Sequence, residues 1–144
     1  MTSKFVVGYD GSAASRRALD FALARAQRGG ESVVVAHVLE WSPYSFLTPT
    51  ELEERHKRRA EELARAEEAF AKPLTEELSA KGITIETVIK YGHVSETICK
   101  VATDMSATQI FIGRHGEGGL ASRVFGSVAG TLAQCAPVPC TIVP

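Results

Sequence analysis

The sequence predicts an α/β protein: a single-domain open parallel sheet of five strands, ordered 3-2-1-4-5, with helices on both faces. Three observations predict it. Short β-branched or apolar runs alternate with longer stretches of helical period, the signature of parallel strands joined by right-handed crossovers. The run Gln109-Ile110-Phe111-Ile112 empties into Gly113-Arg114-His115-Gly116, and Gly126-Ser127 heads the apolar stretch that follows. At the other end of the chain, Lys4-Phe5-Val6-Val7-Gly8 runs into Tyr9-Asp10-Gly11-Ser12, which places Asp10 at the carboxyl end of a strand.

Taken in order, Lys4 to Gly8 is the first, buried strand, and Ser12 caps the helix that follows. Ala18, Leu19, Phe21, Ala22, Leu23 and Ala26 form its apolar stripe, and Gly29-Gly30 ends it. Ser32 to Leu39 is a β-branched run long enough for a buried second strand. Thr48-Pro49-Thr50-Glu51 combines a capping box with proline at the first helical position, so a second helix starts there. Leu52, Leu63, Phe70, Leu74 and Leu78 lie down one side of it. The rest is densely charged, with acids outnumbering bases and pairs such as Glu61/Arg65 at i,i+4, which describes a solvated face rather than a basic patch. Pro73 is expected to kink or interrupt this helix, because its missing N–H and ring clash cost roughly 3 kcal/mol in a helix interior. Ile83 to Tyr91 alternates as a third strand, Val94 to Met105 is a short helix, and Gln109 to Gly113 is the fourth strand. Val128 to Cys135 is the last helix, and Val138 to Val143 closes the sheet at an edge.

Composition narrows the function classes. The chain has 144 residues, 44% hydrophobic and 23% charged, which is ordinary globular usage. A formal net charge of -1 gives no electrostatic case for nucleic acid or membrane as partner. No apolar run is long enough to span a bilayer, and the first residues lack the basic-then-apolar pattern of a signal peptide, so a cytoplasmic location is expected. Cys99, Cys135 and Cys140 form no CxxC and are expected to be buried, reduced thiols. His37, His56, His93 and His115 are scattered without ligand spacing, so no zinc site is expected.

The chemistry concentrates in two segments. A strand that empties into glycines and then a helix start builds an anion site, because small residues let the backbone approach a phosphate while free N–H groups and the helix dipole receive its charge. No lysine follows Lys100, so this is not a Walker A loop. Gly116-Glu117-Gly118-Gly119-Leu120-Ala121 matches G-x-G-x-x-A, but no Asp or Glu follows Glu117 to hold a ribose, so the dinucleotide fingerprint is incomplete. The missing carboxylate is Asp10. In an open parallel sheet, ligands bind beyond the carboxyl ends of the strands where the winding reverses. There Asp10 would face the loop from Gly113 to Ser127, its carboxylate accepting from ribose hydroxyls and the loop taking phosphates.

These residues resemble the universal stress protein family, specifically its ATP-binding branch. The resemblance covers essentially the whole chain and rests on Val6-Val7-Gly8-Tyr9-Asp10-Gly11-Ser12, on Gly92-His93-Val94-Ser95-Glu96-Thr97-Ile98, on the complete G-x2-G-x9-G-[ST] signature from Gly113 through Gly116 to Gly126-Ser127, and on the closing Ala136 to Val143. It implies a Rossmann-like fold of the adenine nucleotide alpha hydrolase type. It also implies Asp10 near a ribose, the backbone of Gly8 and Val38 beside an adenine, and Gly113, Gly116, Gly126, Ser127 and Val128 around the ribose and phosphates, with Ile112 among the nucleotide-binding residues. The ligand implied is ATP with Mg2+, with ADP or AMP as alternatives, and the family commonly forms a homodimer through the C-terminal edge strand. Where the family often has Ser or Thr, this chain has Arg114 and His115.

The inventory for catalysis is thin. Arg114, His115 and Arg123 are candidates to neutralise phosphate oxygens, but no obvious base accompanies them. Ser12, His115 and Asp10 lack the setting of a nucleophile elbow. Three functions stay open: a nucleotide-responsive dimeric ATP-binding stress module, a very slow Mg-dependent ATPase or autophosphorylating protein, and an interaction dimer that binds no nucleotide.

Overall fold

Val6 and Val7 are fully buried at the centre of the molecule and point to opposite faces of one sheet. In the computed structural model, which describes residues 3–40, 48–115 and 127–144, the strands are β1 (Lys4–Gly8), β2 (Ser32–Glu40), β3 (Glu86–Gly92), β4 (Gln109–Gly113) and β5 (Cys140–Val143). They form a five-stranded sheet in the order β3-β2-β1-β4-β5. All pairings are parallel, with Val6 opposite both Val34 and Ile110. The expected order and direction are therefore observed.

Helices α1 (Ala13–Gly29), α3 (Lys72–Ala80), α4 (Val94–Asp104) and α5 (Ser127–Cys135) cover the two faces. Phe5, Val7, Val33, Val35 and Phe111 pack with Leu19 and Ala22 of α1 and with Leu74 and Leu78 of α3. The alternate residues Val6, Val34, Ile110 and Ile112 pack with Ile98 and Val101 of α4 and with Ala129 and Leu132 of α5. This two-sided burial explains why the strands read as continuous apolar runs rather than alternating ones. The Ser12 side chain accepts from the Ser15 amide at 3.1 Å, and Gly30 closes α1. Helix α2 (Pro49–Ala66) begins with the expected capping box, Thr48 and Glu51 each accepting from the other's backbone N–H.

Several expectations change. The interruption expected at Pro73 is found just ahead of it, as a five-residue π turn, Glu67–Ala71, after which the chain resumes as α3 with Pro73 in its first turn. The Lys72 amide bonds to the Glu67 carbonyl, five residues back, and this wider turn meets the proline's lack of an N–H. The extra residue also shifts the helical phase, so the apolar stripe is not one face. Leu74 and Leu78 are buried, whereas Leu52 is 43% and Phe70 36% exposed. Phe21 is 44% exposed on α1, although its ring lies 6.0 Å from that of Phe111. Arg65 donates to the backbone carbonyl of Glu61 at 3.4 Å. The third strand starts at Glu86 instead of Ile83, because the Ile83 amide bonds back to the Leu78 carbonyl at 2.8 Å and not to a neighbouring strand. The cysteines are free as expected but not buried: Cys135, the last residue of α5, is exposed, and Cys99 and Cys140 are half-buried.

Candidate functional site

Strand β1 lies between β2 and β4, and the chain leaves β1 toward one face and β4 toward the other. The carboxyl ends of these strands therefore splay apart and leave a crevice at the reversal of winding. A cavity of about 590 Å3 occupies it. Its walls include Gly8, Asp10, Val38, Ile112, Gly113, Ser127 and Val128, and also Arg114 and His115, so the structure brings together these sequence-predicted residues. Gly116, Arg123 and Gly126 lie outside the described residues, as does most of the Trp41 to Pro49 loop.

One side of the cavity is apolar, formed by Ala36, Val38, Val94, Ile98, Ile112 and Ala129. The other side is polar and is built by the turn after β1. The Ser12 amide donates to Asp10 Oδ1 at 2.9 Å, an Asx turn, and Gly11 takes φ +82° between them. The Asp10 amide donates to Ser15 Oγ at 3.3 Å, and the Ser15 hydroxyl donates to the Ser12 carbonyl at 3.0 Å. Ser15 is thus a buried polar residue with its hydrogen bonds made. Burial pushes the Asp10 carboxyl up, but hydrogen bonds from Ser12 and Ser15 outweigh it and hold Asp10 below the ordinary aspartate value. The turn thereby presents an ionised acceptor to the cavity.

The opposing wall carries donors. Gly113 ends β4 where a β-carbon would lie 2.9 Å from the Ala14 carbonyl carbon, so only glycine lets the strand end pass this close to the first turn of α1. Ser127 and Val128, the first described residues of α5, line this wall of the cavity. The Arg114 Nε donates to His115 Nε2 at 3.1 Å, so the ring proton sits on Nδ1, which is buried and has no acceptor among the described residues.

Sequence reasoning missed His37 and Phe70 as cavity residues. His37 Nδ1 lies 2.8 Å from the Tyr9 carbonyl, to which it must donate, and the Phe70 ring stands 4.7 Å from the His37 ring. Phe70 had the spacing of a core residue. Only the π turn, which no periodicity shows, carries it to the cavity rim. Among the described residues, no group of three or more His, Cys, Asp or Glu is placed to hold a metal ion, and no helix is long and apolar enough to cross a membrane.

A parallel five-stranded sheet with helices on both faces and a crevice at its reversal of winding defines an open, doubly wound α/β protein. The model of the universal stress protein family matches residues 1–144, and the chain belongs to that family. It is 32% identical over 144 residues to the universal stress protein in the QAH/OAS sulfhydrylase 3′ region of Thermus aquaticus, covering 99% of each chain. Among solved structures it is similar to the universal stress protein UspA from Lactobacillus plantarum, with a TM-score of 0.82 at 22% identity over 99% of this chain and 97% of that one. Two more distant folds of the family are a universal stress protein in complex with cAMP (TM-score 0.63, 24% identity, 99% and 97% covered) and a family protein from Arabidopsis thaliana with AMP bound (TM-score 0.61, 17% identity, 98% and 90% covered).

Proposed function

We propose that the protein binds an adenine nucleotide, ATP with Mg2+ foremost and ADP or AMP as alternatives, in the crevice between β1 and β4, and that occupancy regulates it as a dimeric stress module. The observation that carries this reading is the convergence of Asp10, Gly113 and Ser127 on one cavity of about 590 Å3, within the roughly 300–1,000 Å3 range of small-molecule sites. Each part has a chemical task. The apolar side accepts the flat base, with the backbone of Gly8 and Val38 at its edge. Asp10 accepts from ribose hydroxyls. The Gly113 and Ser127 amides, Val128 at the start of α5, and the Arg114 and His115 side chains meet the phosphates, and the phosphates carry the Mg2+. Gly116, Gly126 and Arg123 complete the same loop in sequence. Two relatives of this fold that hold AMP and cAMP support the ligand class.

Dimerisation is proposed through β5, which pairs with β4 on one side only and stands at the sheet edge. Its residues Cys140 to Val143 are short, apolar and partly buried, a pattern that favours pairing with a second copy.

Thermal melting tests the ligand. Mg-ATP at a hundred times its Kd stabilises by about 2.7 kcal/mol, a shift of several degrees. A rise with ATP, smaller with GTP and absent in Asp10→Ala, is expected. Equal shifts with both nucleotides in wild type and Asp10→Ala would contradict the assignment of the site.

A further inference from the structure

The turn that holds Asp10 is itself held by two residues from other parts of the chain. β1 ends at Gly8, and the Tyr9 amide makes one more bond to β2, to the Ala36 carbonyl at 2.9 Å. The Tyr9 carbonyl, one peptide before the Asp10 side chain, accepts from His37 Nδ1 at 2.8 Å. Phe70 then lies against both ends of this arrangement. Its ring is tilted by 32° to the His37 ring at 4.7 Å, and a β-carbon on Gly11 would meet its Cε1 at 3.0 Å. A small recess of about 10 Å3, the size of a single water, adjoins the pair and is lined also by Ala71, Leu74 and Val88. Phe70 is here because the π turn at Glu67–Ala71 redirects it from the core. π turns of this kind recur at functional sites.

We infer that His37 and Phe70 are positioning residues for the ribose: His37 fixes the Tyr9–Asp10 peptide, Phe70 clamps His37 and Gly11 from the π turn, and together they aim the Asp10 carboxylate at the sugar hydroxyls. The inference rests on the nucleotide reading of the cavity and adds to it a chemical consequence. A site that aims an oriented carboxylate at the sugar discriminates against a nucleotide that lacks those hydroxyls, because the charge-assisted hydrogen bonds they would donate are then lost. Loosening His37 should remove that discrimination while largely leaving the base and phosphate contacts alone. A merely structural histidine would instead weaken every ligand equally.

The test uses the full chain, with the calorimetry at one pH. Calorimetry compares Mg-ATP with its 2′,3′-dideoxy analogue in wild type, Asp10→Ala, His37→Leu, His37→Asn and Phe70→Leu, and carboxyl NMR follows the Asp10 titration without ligand. Wild type should prefer ATP by about ten- to a hundredfold, as expected for hydrogen bonds to a charged group. In Asp10→Ala the two ligands should bind alike. In His37→Leu the preference should fall several-fold, chiefly through lost ATP affinity and with a smaller loss for the dideoxy analogue, and the Asp10 titration should move up toward the ordinary value of about 3.9. His37→Asn, whose amide can donate from nearly the same place as Nδ1, should restore both, and Phe70→Leu should fall between. Equal loss of both ligands in His37→Leu, or an unmoved Asp10 titration, overturns the positioning role. A wild type that binds neither nucleotide overturns the cavity's ligand assignment and this inference with it.

Discussion

At Gly113 a β-carbon would sit 2.9 Å from the Ala14 carbonyl carbon and 3.0 Å from its oxygen, and backbone cannot swing aside as a side-chain tip can. Gly113→Val should therefore destabilise by about 1–3 kcal/mol in urea unfolding, the range for forcing extra atoms into packed structure. A cost below 0.5 kcal/mol, the scale of an indifferent surface change, would mean that strand and helix are not in this contact. Asp10 gives a pH prediction of definite sign. Its folded pKa is depressed, so the stability it contributes is fully present above the unfolded value of about 3.9 and is lost as pH falls through the lower folded value. The stability difference between wild type and Asp10→Asn should be flat from neutral pH to about 5 and shrink below about 4. A difference that grew on acidification would contradict the hydrogen-bonded turn. The cysteines are separable by reactivity: burial pushes the Cys99 and Cys140 thiols up, each aided by a neighbouring cysteine, while Cys135 is exposed. Alkylation followed by mass spectrometry should therefore label Cys135 first.

Among the elements, the segment from Pro49 to Ala80 shows how one inserted residue divides a stripe that looks uniform. Leu52 and Leu78 have the same helical spacing pattern in sequence, yet Leu52 is 43% exposed and Leu78 2%. Leu78→Ala should cost about 2–5 kcal/mol, as for a buried leucine that leaves a cavity, and Leu52→Ala less than about 0.5 kcal/mol. Comparable losses at both positions would show that α2 and α3 share one buried face after all. The helix starts behaved as local chemistry dictates. Ser12 and Thr48 each cap through their own hydroxyl, a contact made within four residues and so readable without tertiary knowledge. The Ile83 end of the third strand did not, because a bond back to Leu78 competes with the ladder.

For the whole molecule, strand order and direction were legible because alternation of strand and helix leaves few right-handed parallel arrangements. The cavity was legible too, since Asp10, Gly113 and Ser127 sit at element junctions whose positions the topology dictates. His37 and Phe70 were not: one is an ordinary strand residue until β1 ends beside it, and the other depends on the π turn. Oligomeric state belongs at this scale as well. Sedimentation equilibrium should give about twice the 15.5 kDa chain mass at micromolar concentration if β5 pairs with a second copy, and a single-chain mass would remove the edge-strand interface.

The central claim, that the crevice between β1 and β4 holds an adenine nucleotide, is tested most directly by titration calorimetry of Mg-ATP into protein first denatured and refolded to shed any carried-over ligand. The account predicts saturable binding of one nucleotide per chain, displaced by AMP and abolished in Gly113→Val that remains folded. No heat and no saturation in the refolded wild type, with its fold confirmed by circular dichroism, would contradict it.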